Sequence, residues 1–172
     1  MIMNKCKQYI GIDPGSRGAI AVIDDNDGVR FLEDLSSDYS SYWYPTTILV
    51  NEDFYENYCV VEDVCGRPGQ SCIANTTFMK LAGMAEYLGW YCADFEKFIK
   101  VKPQIWKKHF GLVFSKELTK TQKKHKSIEL AKELFPSVAD QLTASKDGRA
   151  EALLIAKYCQ QLNKDLKDGI KR

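Results

Sequence analysis

Short apolar runs separated by turn residues dominate the first part of the chain and predict β-strands. A run at 9–12 leads through a Pro-Gly-Ser turn into a second run at 19–23. This order predicts a β-hairpin, and a third strand over 29–35 would extend it into an antiparallel meander. Two later apolar runs predict further strands at 59–64 and 98–101.

Apolar residues at helical spacing predict four helices in the rest of the chain. The first covers 75–88, with Asn75 or Thr76 as its N-cap. The mixture of strands and helices predicts a single α/β domain over residues 1–172, with a polar tail at 163–172 that is expected to fray. The other three helices begin at Pro103, at Thr119 and near Asp147 or Gly148, and they end near Gly111, Phe135 and Leu162.

The segment 36–58 has no regular period. It holds seven aromatic residues among serines and acids, a mixture compatible with a helix or with irregular packing. Aromatic side chains can stack on nucleic-acid bases, but the acids beside them favour a role in covering the core. The sequence leaves the role of this segment open.

The composition carries no membrane, disulfide or zinc signal. No apolar run approaches the ~20 residues of a membrane span, and the N-terminus lacks the hydrophobic stretch of a secretory signal. The six cysteines form no C-x-x-C pair and only two histidines are present, which argues against a zinc ribbon. These features predict a soluble, intracellular protein without membrane association.

The charge is divided unevenly along the chain. Residues 1–96 hold six basic and fifteen acidic side chains, whereas residues 97–172 hold eighteen and eight. Eleven lysines fall within 97–135. A basic half of this kind indicates a polyanionic partner such as nucleic acid, and a solvated lysine-rich helical surface is the alternative.

Four acids lie where burial would be unfavourable without a compensating cation. Asp13 ends the first buried strand, Glu62 lies in a later one, and Glu151 shares the apolar face of the last helix, one turn after Asp147. Carboxylate oxygens suit Mg²⁺ or Mn²⁺, and two ions ~4 Å apart support phosphodiester hydrolysis. The alternative is that Asp147 only caps the helix and Glu151 points outward.

The order of these elements resembles the RuvC-like Holliday junction resolvases of the ribonuclease H-like superfamily, in particular their phage and organellar branch. The motifs that carry the resemblance lie at 10–15, 60–62 and 147–153, with supporting similarity at 101–108 and 129–136. The resemblance implies a ribonuclease H-like mixed sheet, in which a three-stranded antiparallel meander is joined by parallel strands and flanked by helices.

The same resemblance implies a homodimeric, Mg²⁺-dependent endonuclease that cuts four-way DNA junctions symmetrically. Mn²⁺ is expected to substitute, with two ions in each active site. The helix at 75–88 is similar to the family's dimer interface. One departure is that two acids of the last helix are four residues apart, whereas the bacterial enzymes usually have three. The acids that match the family's metal ligands are Asp13, Glu62, Asp147 and Glu151.

The resemblance also implies a basic residue near the scissile phosphate and a loop that probes the junction centre. Among the lysines that open the third helix, Lys126 is favoured for the catalytic position. The loop that matches the junction probe contains Arg67 and Gln70. The complete set of DNA-binding candidates is Arg67, Gln70, Lys107, Lys108, Lys116, Lys123, Lys124 and Lys126.

Two other functions are compatible with parts of this pattern. A phosphate-binding module of the actin and sugar-kinase type shares the Asp-x-Gly hairpin, but such proteins close a second domain over ATP, and 172 residues leave no room for one. A catalytically silent nucleic-acid-binding protein could keep the same fold. The complete acid set favours the nuclease, and no nucleotide cofactor is expected.

Overall fold

A computed structural model describes residues 5–35, 55–66, 69, 71–94, 96–114 and 118–167. Its strands are β1 (Cys6–Asp13), β2 (Ala19–Asp24), β3 (Val29–Asp34), β4 (Tyr55–Glu62) and β5 (Phe98–Val101). Its helices are α1 (Cys72–Cys92), α2 (Pro103–His109), α3 (Lys120–Leu134) and α4 (Asp147–Lys167). Two short 3₁₀ segments, Pro136–Gln141 and Ala144–Lys146, connect α3 to α4.

The strands form one mixed sheet in the order β3-β2-β1-β4-β5. β1 pairs antiparallel with β2, and β2 pairs antiparallel with β3, so the meander predicted from the turn residues is present. β4 lies parallel to β1 and β5 parallel to β4. The chain therefore has the predicted α/β fold, and its sheet is consistent at a coarse level with a ribonuclease H-like arrangement.

Side-chain alternation along the strands gives the sheet two buried faces. Tyr9 of β1 and Val60 of β4 pack with α3 and α4 on one face. Ile10, Ile12 and Val61 pack with α1 on the other. Because strand residues alternate between faces, every second residue of β1 from Tyr9 onward is directed at α4.

Two glycines let α4 approach the sheet closely. A Cβ added to Gly11 of β1 would lie 2.2 Å from both the Ala152 carbonyl oxygen and the Ala156 nitrogen. A Cβ added to Gly148 would lie 1.9 Å from the Arg17 carbonyl oxygen in the β1–β2 turn. Only hydrogen fits at either position, so the first half of α4 rests directly on β1 and on its turn.

A buried arginine fixes the start of α4 to the edge of the sheet. Arg149 donates from Nε to Asp34 Oδ1 at 2.6 Å and from Nη2 to Asp34 Oδ2 at 3.1 Å. The guanidinium also donates to Gln141 at 3.2 Å. A bidentate arginine–carboxylate pair constrains both distance and direction, so it holds α4 against β3 as well as β1.

Several boundaries differ from those predicted by the sequence pattern. β4 begins at Tyr55, inside the segment left open, while residues 36–54 lie outside the described part of the chain. The helix predicted over 75–88 is longer at both ends, because the Ser71 hydroxyl accepts from the Ala74 amide and caps it, in place of Asn75 or Thr76. At its C-terminal end, burial of Leu88, Gly89 and Cys92 outweighs the low helix propensity of the glycines within it.

The first part of the tail predicted to fray, residues 163–167, is helical in the structure. α4 continues to Lys167, and Asn163 is buried and accepts a hydrogen bond from Lys7 at 3.3 Å. This contact joins the helix to β1 beyond Leu162, where the sequence pattern placed its end. Residues 168–172 lie outside the described part. Among the described helices, none has the length and apolar character needed to cross a bilayer.

Candidate metal centre

Two of the predicted acids end neighbouring parallel strands. In the β1–β4 pairing, Ile12 lies opposite Val61, and each strand ends one residue later with Asp13 and Glu62. Asp13 and Glu62 both lie at strand positions whose side chains face α4. The register of one strand pair therefore places two carboxylates side by side at the carboxyl edge of the sheet.

α4 adds a third carboxylate to this edge. Glu151 lies one turn into the helix, in the part that the glycine contacts hold against β1. One carboxylate oxygen from each of Asp13, Glu62 and Glu151 lies within 4.8 Å of the other two. We call these three residues the acid cluster. Glu62 is 7% exposed, and the other two are half-buried.

The electrostatics of the acid cluster favour a bound cation. Burial raises the pKa of Asp13 well above its usual range, and repulsion from Glu151 and Glu62 raises it further. The Gly15 amide, which donates to Asp13 Oδ1 at 3.1 Å, and the Lys107 ammonium act in the opposite direction. Like charges at this separation disfavour simultaneous ionisation unless a cation lies among them.

A tryptophan without a predicted role orients Glu62. Trp106 of α2 is fully buried, and its indole Nε1 donates to Glu62 Oε1 at 3.0 Å. The sequence offered one chemical signal for this contact, because a buried indole N–H requires a hydrogen-bond acceptor. The identity of that acceptor depends on how α2 packs against β4. Trp106 thus fixes one oxygen of the central acid.

The next residue of α2 places an ammonium at the same acids. Lys107 Nζ donates to Glu151 Oε1 at 3.1 Å and to Oε2 at 3.2 Å. It also lies 4.8 Å from the centre of the Trp106 ring. Burial opposes its charge, but attraction to Glu151 and Glu62 raises the pKa of Lys107 above its usual value. From the sequence pattern, this lysine was expected to contact DNA alone.

The fourth predicted acid lies outside the acid cluster. Asp147 is 8% exposed, and its carboxylate contacts the Lys124 ammonium and, at 3.3 Å, the Arg17 guanidinium. Because Asp147 begins α4 beside the β1–β2 turn, side chains from that turn and from α3 can reach it. Of the four predicted ligands, the structure brings three together and pairs the fourth with two cations.

The predicted DNA-binding residues occupy several positions around this edge. Lys108 is exposed on α2, and Lys123 is half-buried on α3. Lys126, the lysine favoured for catalysis, is exposed, with its ammonium 5.7 Å from the centre of the Phe114 ring. Three other candidates lie outside the described residues: Arg67, Gln70 and Lys116.

The donor set of the acid cluster fits a hard divalent cation. All three ligands are carboxylates, and oxygen donors are those that Mg²⁺ and Mn²⁺ prefer. Their convergence from three elements supplies three ligands that could hold one ion, with water completing its coordination. Asp147, the fourth ligand expected from the sequence for a pair of ions, is engaged by Lys124 and Arg17.

No protein-family model matches this chain, and comparison with curated proteins found no significant match. The case for a function therefore depends on the geometry and charge of the acid cluster and its surroundings.

Proposed function

We propose that this protein is a metal-dependent endonuclease that acts on branched DNA, with the four-way junction as its substrate. The observation that carries the proposal is the meeting of Asp13, Glu62 and Glu151 within 4.8 Å at the carboxyl edge of the sheet. Their joint burial is unfavourable for stability, which is expected of a site retained for cation binding.

Asp13, Glu62 and Glu151 would hold the ion. A bound Mg²⁺ or Mn²⁺ supplies a Lewis acid that polarises a phosphoryl oxygen and lowers the pKa of water. The protein's own part is to hold these carboxylates in place. Trp106 fixes one oxygen of Glu62, and the Gly15 amide fixes one oxygen of Asp13.

Nucleic acid is the substrate class that the charge around this edge favours. α2 carries Lys107 and Lys108 in its last turn, and α3 begins with a lysine-rich turn beside the start of α4. Arg17, in the β1–β2 turn, is 57% exposed at its side chain. A phosphate backbone lying across these elements would bring a phosphodiester to the acid cluster.

The structure of the β1–β2 turn disfavours the actin- and kinase-like alternative. A nucleotide phosphate would bind to free turn amides, and two of these amides are engaged: the Gly15 amide donates to Asp13 and the Gly18 amide donates to Gly15 at 2.8 Å. Gly148 of α4 also packs directly on this turn. Calorimetric titration with Mg-ATP is expected to show no binding.

A cleavage assay tests the proposed function. We expect a four-way junction to be nicked at symmetric positions in Mg²⁺ or Mn²⁺, and to stay intact in EDTA. A Y-fork and a linear duplex of the same sequence serve as substrate controls. Equal cutting of linear duplex would contradict junction selectivity, and cutting in EDTA would contradict a metal-dependent mechanism. Junction binding without cutting in any divalent ion would favour the silent nucleic-acid-binding alternative.

We also propose that the protein acts as a homodimer joined through α1, because two symmetric cuts require two active sites. α1 buries Ala85, Leu88 and Cys92 against the sheet. Large apolar side chains occupy its opposite face, and an added Cβ at Gly83 would meet open space. Exposed aromatic and aliphatic side chains on one helix face are typical of an interface. The exposed residues of this face are Ile73, Met79, Tyr87, Trp90 and Tyr91.

Tyr87→Glu is expected to weaken dimerisation by on the order of 30-fold or more, because it places a charge within an apolar contact. Tyr87 is 65% exposed, so the change is compatible with a folded monomer. Sedimentation equilibrium should give twice the chain mass of 19.6 kDa for the wild type. The matched control is Leu166→Glu, on α4, where the side chain is 75% exposed. A wild-type monomer, or an equal effect of both variants, would contradict the α1 interface.

A further inference from the structure

We infer that Lys107 is the internal counter-cation of the acid cluster, which compensates part of its negative charge while no divalent ion is bound and opposes the entry of that ion. This inference rests on the proposed function only in taking the three acids as a metal site. It assigns a role to a side chain of α2 that its sequence pattern identified only as a DNA contact.

The contacts of Lys107 differ from those of an ordinary surface ion pair. Its ammonium donates to both carboxylate oxygens of Glu151, at 3.1 and 3.2 Å. The side chain of Glu151 is 17% exposed and that of Lys107 is 29% exposed, so water screens the pair only in part. Attraction to Glu62 and Asp13 also acts on the same ammonium.

The neighbouring tryptophan keeps this ammonium in place. Trp106 is fully buried and hydrogen-bonded to Glu62, while its ring lies 4.8 Å from Lys107 Nζ. An indole face attracts a cation. Two consecutive residues of α2 therefore contact two different acids of the cluster, Trp106 with a neutral donor and Lys107 with a full positive charge.

This arrangement predicts that removal of the Lys107 ammonium has opposite effects on protein stability and on affinity for the ion. Removing the ammonium leaves three carboxylates to repel one another, so the ion-free protein should become less stable. The same change removes a positive charge that repels a divalent ion, so ion binding should become tighter. A lysine that only supports the fold would lower stability without increasing the affinity for the ion.

The test is calorimetric titration of the full chain with MnCl₂ in the absence of DNA, together with thermal unfolding in EDTA. Lys107→Met should bind Mn²⁺ on the order of tenfold more tightly than the wild type, and should unfold at a lower temperature in EDTA. Lys108→Met is the matched control, because Lys108 is the next residue of α2 and is exposed. It should match the wild type in both measurements.

Equal or weaker Mn²⁺ binding by Lys107→Met, with normal binding by the wild type, would overturn this inference and leave the proposed metal site intact. Absence of Mn²⁺ binding by the wild type would overturn the metal site and the inference together. Tighter binding by both lysine variants would also overturn it, because the effect would then come from net charge and not from the position of Lys107.

A second measurement uses the unmodified protein and does not depend on the folding of a variant. Reductive methylation followed by mass spectrometry should label Lys107 more slowly than Lys108 in EDTA, because the Lys107 ammonium is held by Glu151. Saturating Mn²⁺ should raise the labelling rate of Lys107 and leave that of Lys108 unchanged. An unchanged rate for Lys107 would show that the ion does not displace the ammonium, and would overturn the inference.

Discussion

Asp13→Asn is expected to reduce Mg²⁺-dependent cutting of a four-way junction by on the order of 10³-fold or more. Asparagine keeps an oxygen that can accept the Gly15 amide, so the turn after β1 should survive the change. What it removes is a negative charge at the point where three carboxylates meet. Junction affinity should remain close to that of the wild type, because the basic side chains of α2 and α3 are unaltered.

The measurement is a single-turnover cleavage assay in parallel with a binding assay. Asp24→Asn is the matched control, since Asp24 ends β2 at the opposite end of the sheet, where it pairs with Arg30 and accepts from the Gly28 amide. It should cut at the wild-type rate. Cutting by Asp13→Asn at that rate would exclude the acid cluster as the catalytic centre.

The same assay distinguishes the fourth predicted ligand from the other three. Asp147 is bound to Lys124 and Arg17, outside the acid cluster. Its replacement by asparagine is therefore expected to reduce cutting less than Asp13→Asn does. An equal loss would indicate that Asp147 leaves its two cations and joins the ligands of the bound metal.

Gly11→Ala is expected to lower the free energy of unfolding by about 3 kcal/mol or more. The new methyl group would lie 2.2 Å from two backbone atoms of α4, and a helix backbone cannot yield as a flexible side chain can. Either β1 or α4 must move, and Glu151 would move with the helix. Cutting should therefore fall as well, even in conditions where the variant is folded.

Urea unfolding measures this effect, with Gly83→Ala as the matched control. Gly83 lies within α1, where an added Cβ meets no atom within 4 Å, so alanine should stabilise the helix by up to about 1 kcal/mol. Both variants add one methyl group to a glycine in regular structure. If Gly11→Ala were as stable as Gly83→Ala, the close contact of α4 with β1 would be wrong.

The position of the acid cluster within the fold could be anticipated in part from local patterns. Asp13 and Glu62 each follow a run of apolar residues, and this pattern predicted that Asp13 ends a buried strand and that Glu62 lies within a later one; the structure ends that strand at Glu62. Glu151 shares a helix face with apolar residues, which indicated that it faces the sheet. Such periodicity is a property of a single element, so the sequence alone was enough to recognise it.

The contacts of Asp147 and Lys107 could not be anticipated in the same way. Helical spacing places Asp147 and Glu151 on one face, but it does not indicate that the turn and α3 supply Arg17 and Lys124 to only the first of them. Likewise, the sequence pattern of a basic helix is the same whether one of its lysines faces solvent or an acid. The outcome depends on which neighbouring elements lie within reach of a side chain.

The sequence by itself determined the strands of the meander, the α/β class, and the places of Asp13 and Glu62 on strands and of Glu151 on the apolar face of the last helix, because apolar period and turn residues are set locally. Tertiary structure alone decided that β1 and β4 pair in the register that aligns Asp13 with Glu62, and that α4 lies close enough to add Glu151. It also decided which cations accompany these acids. Those features depend on packing between elements distant in the chain, where the space of a single methyl group decides which side chains and backbone atoms can be in contact.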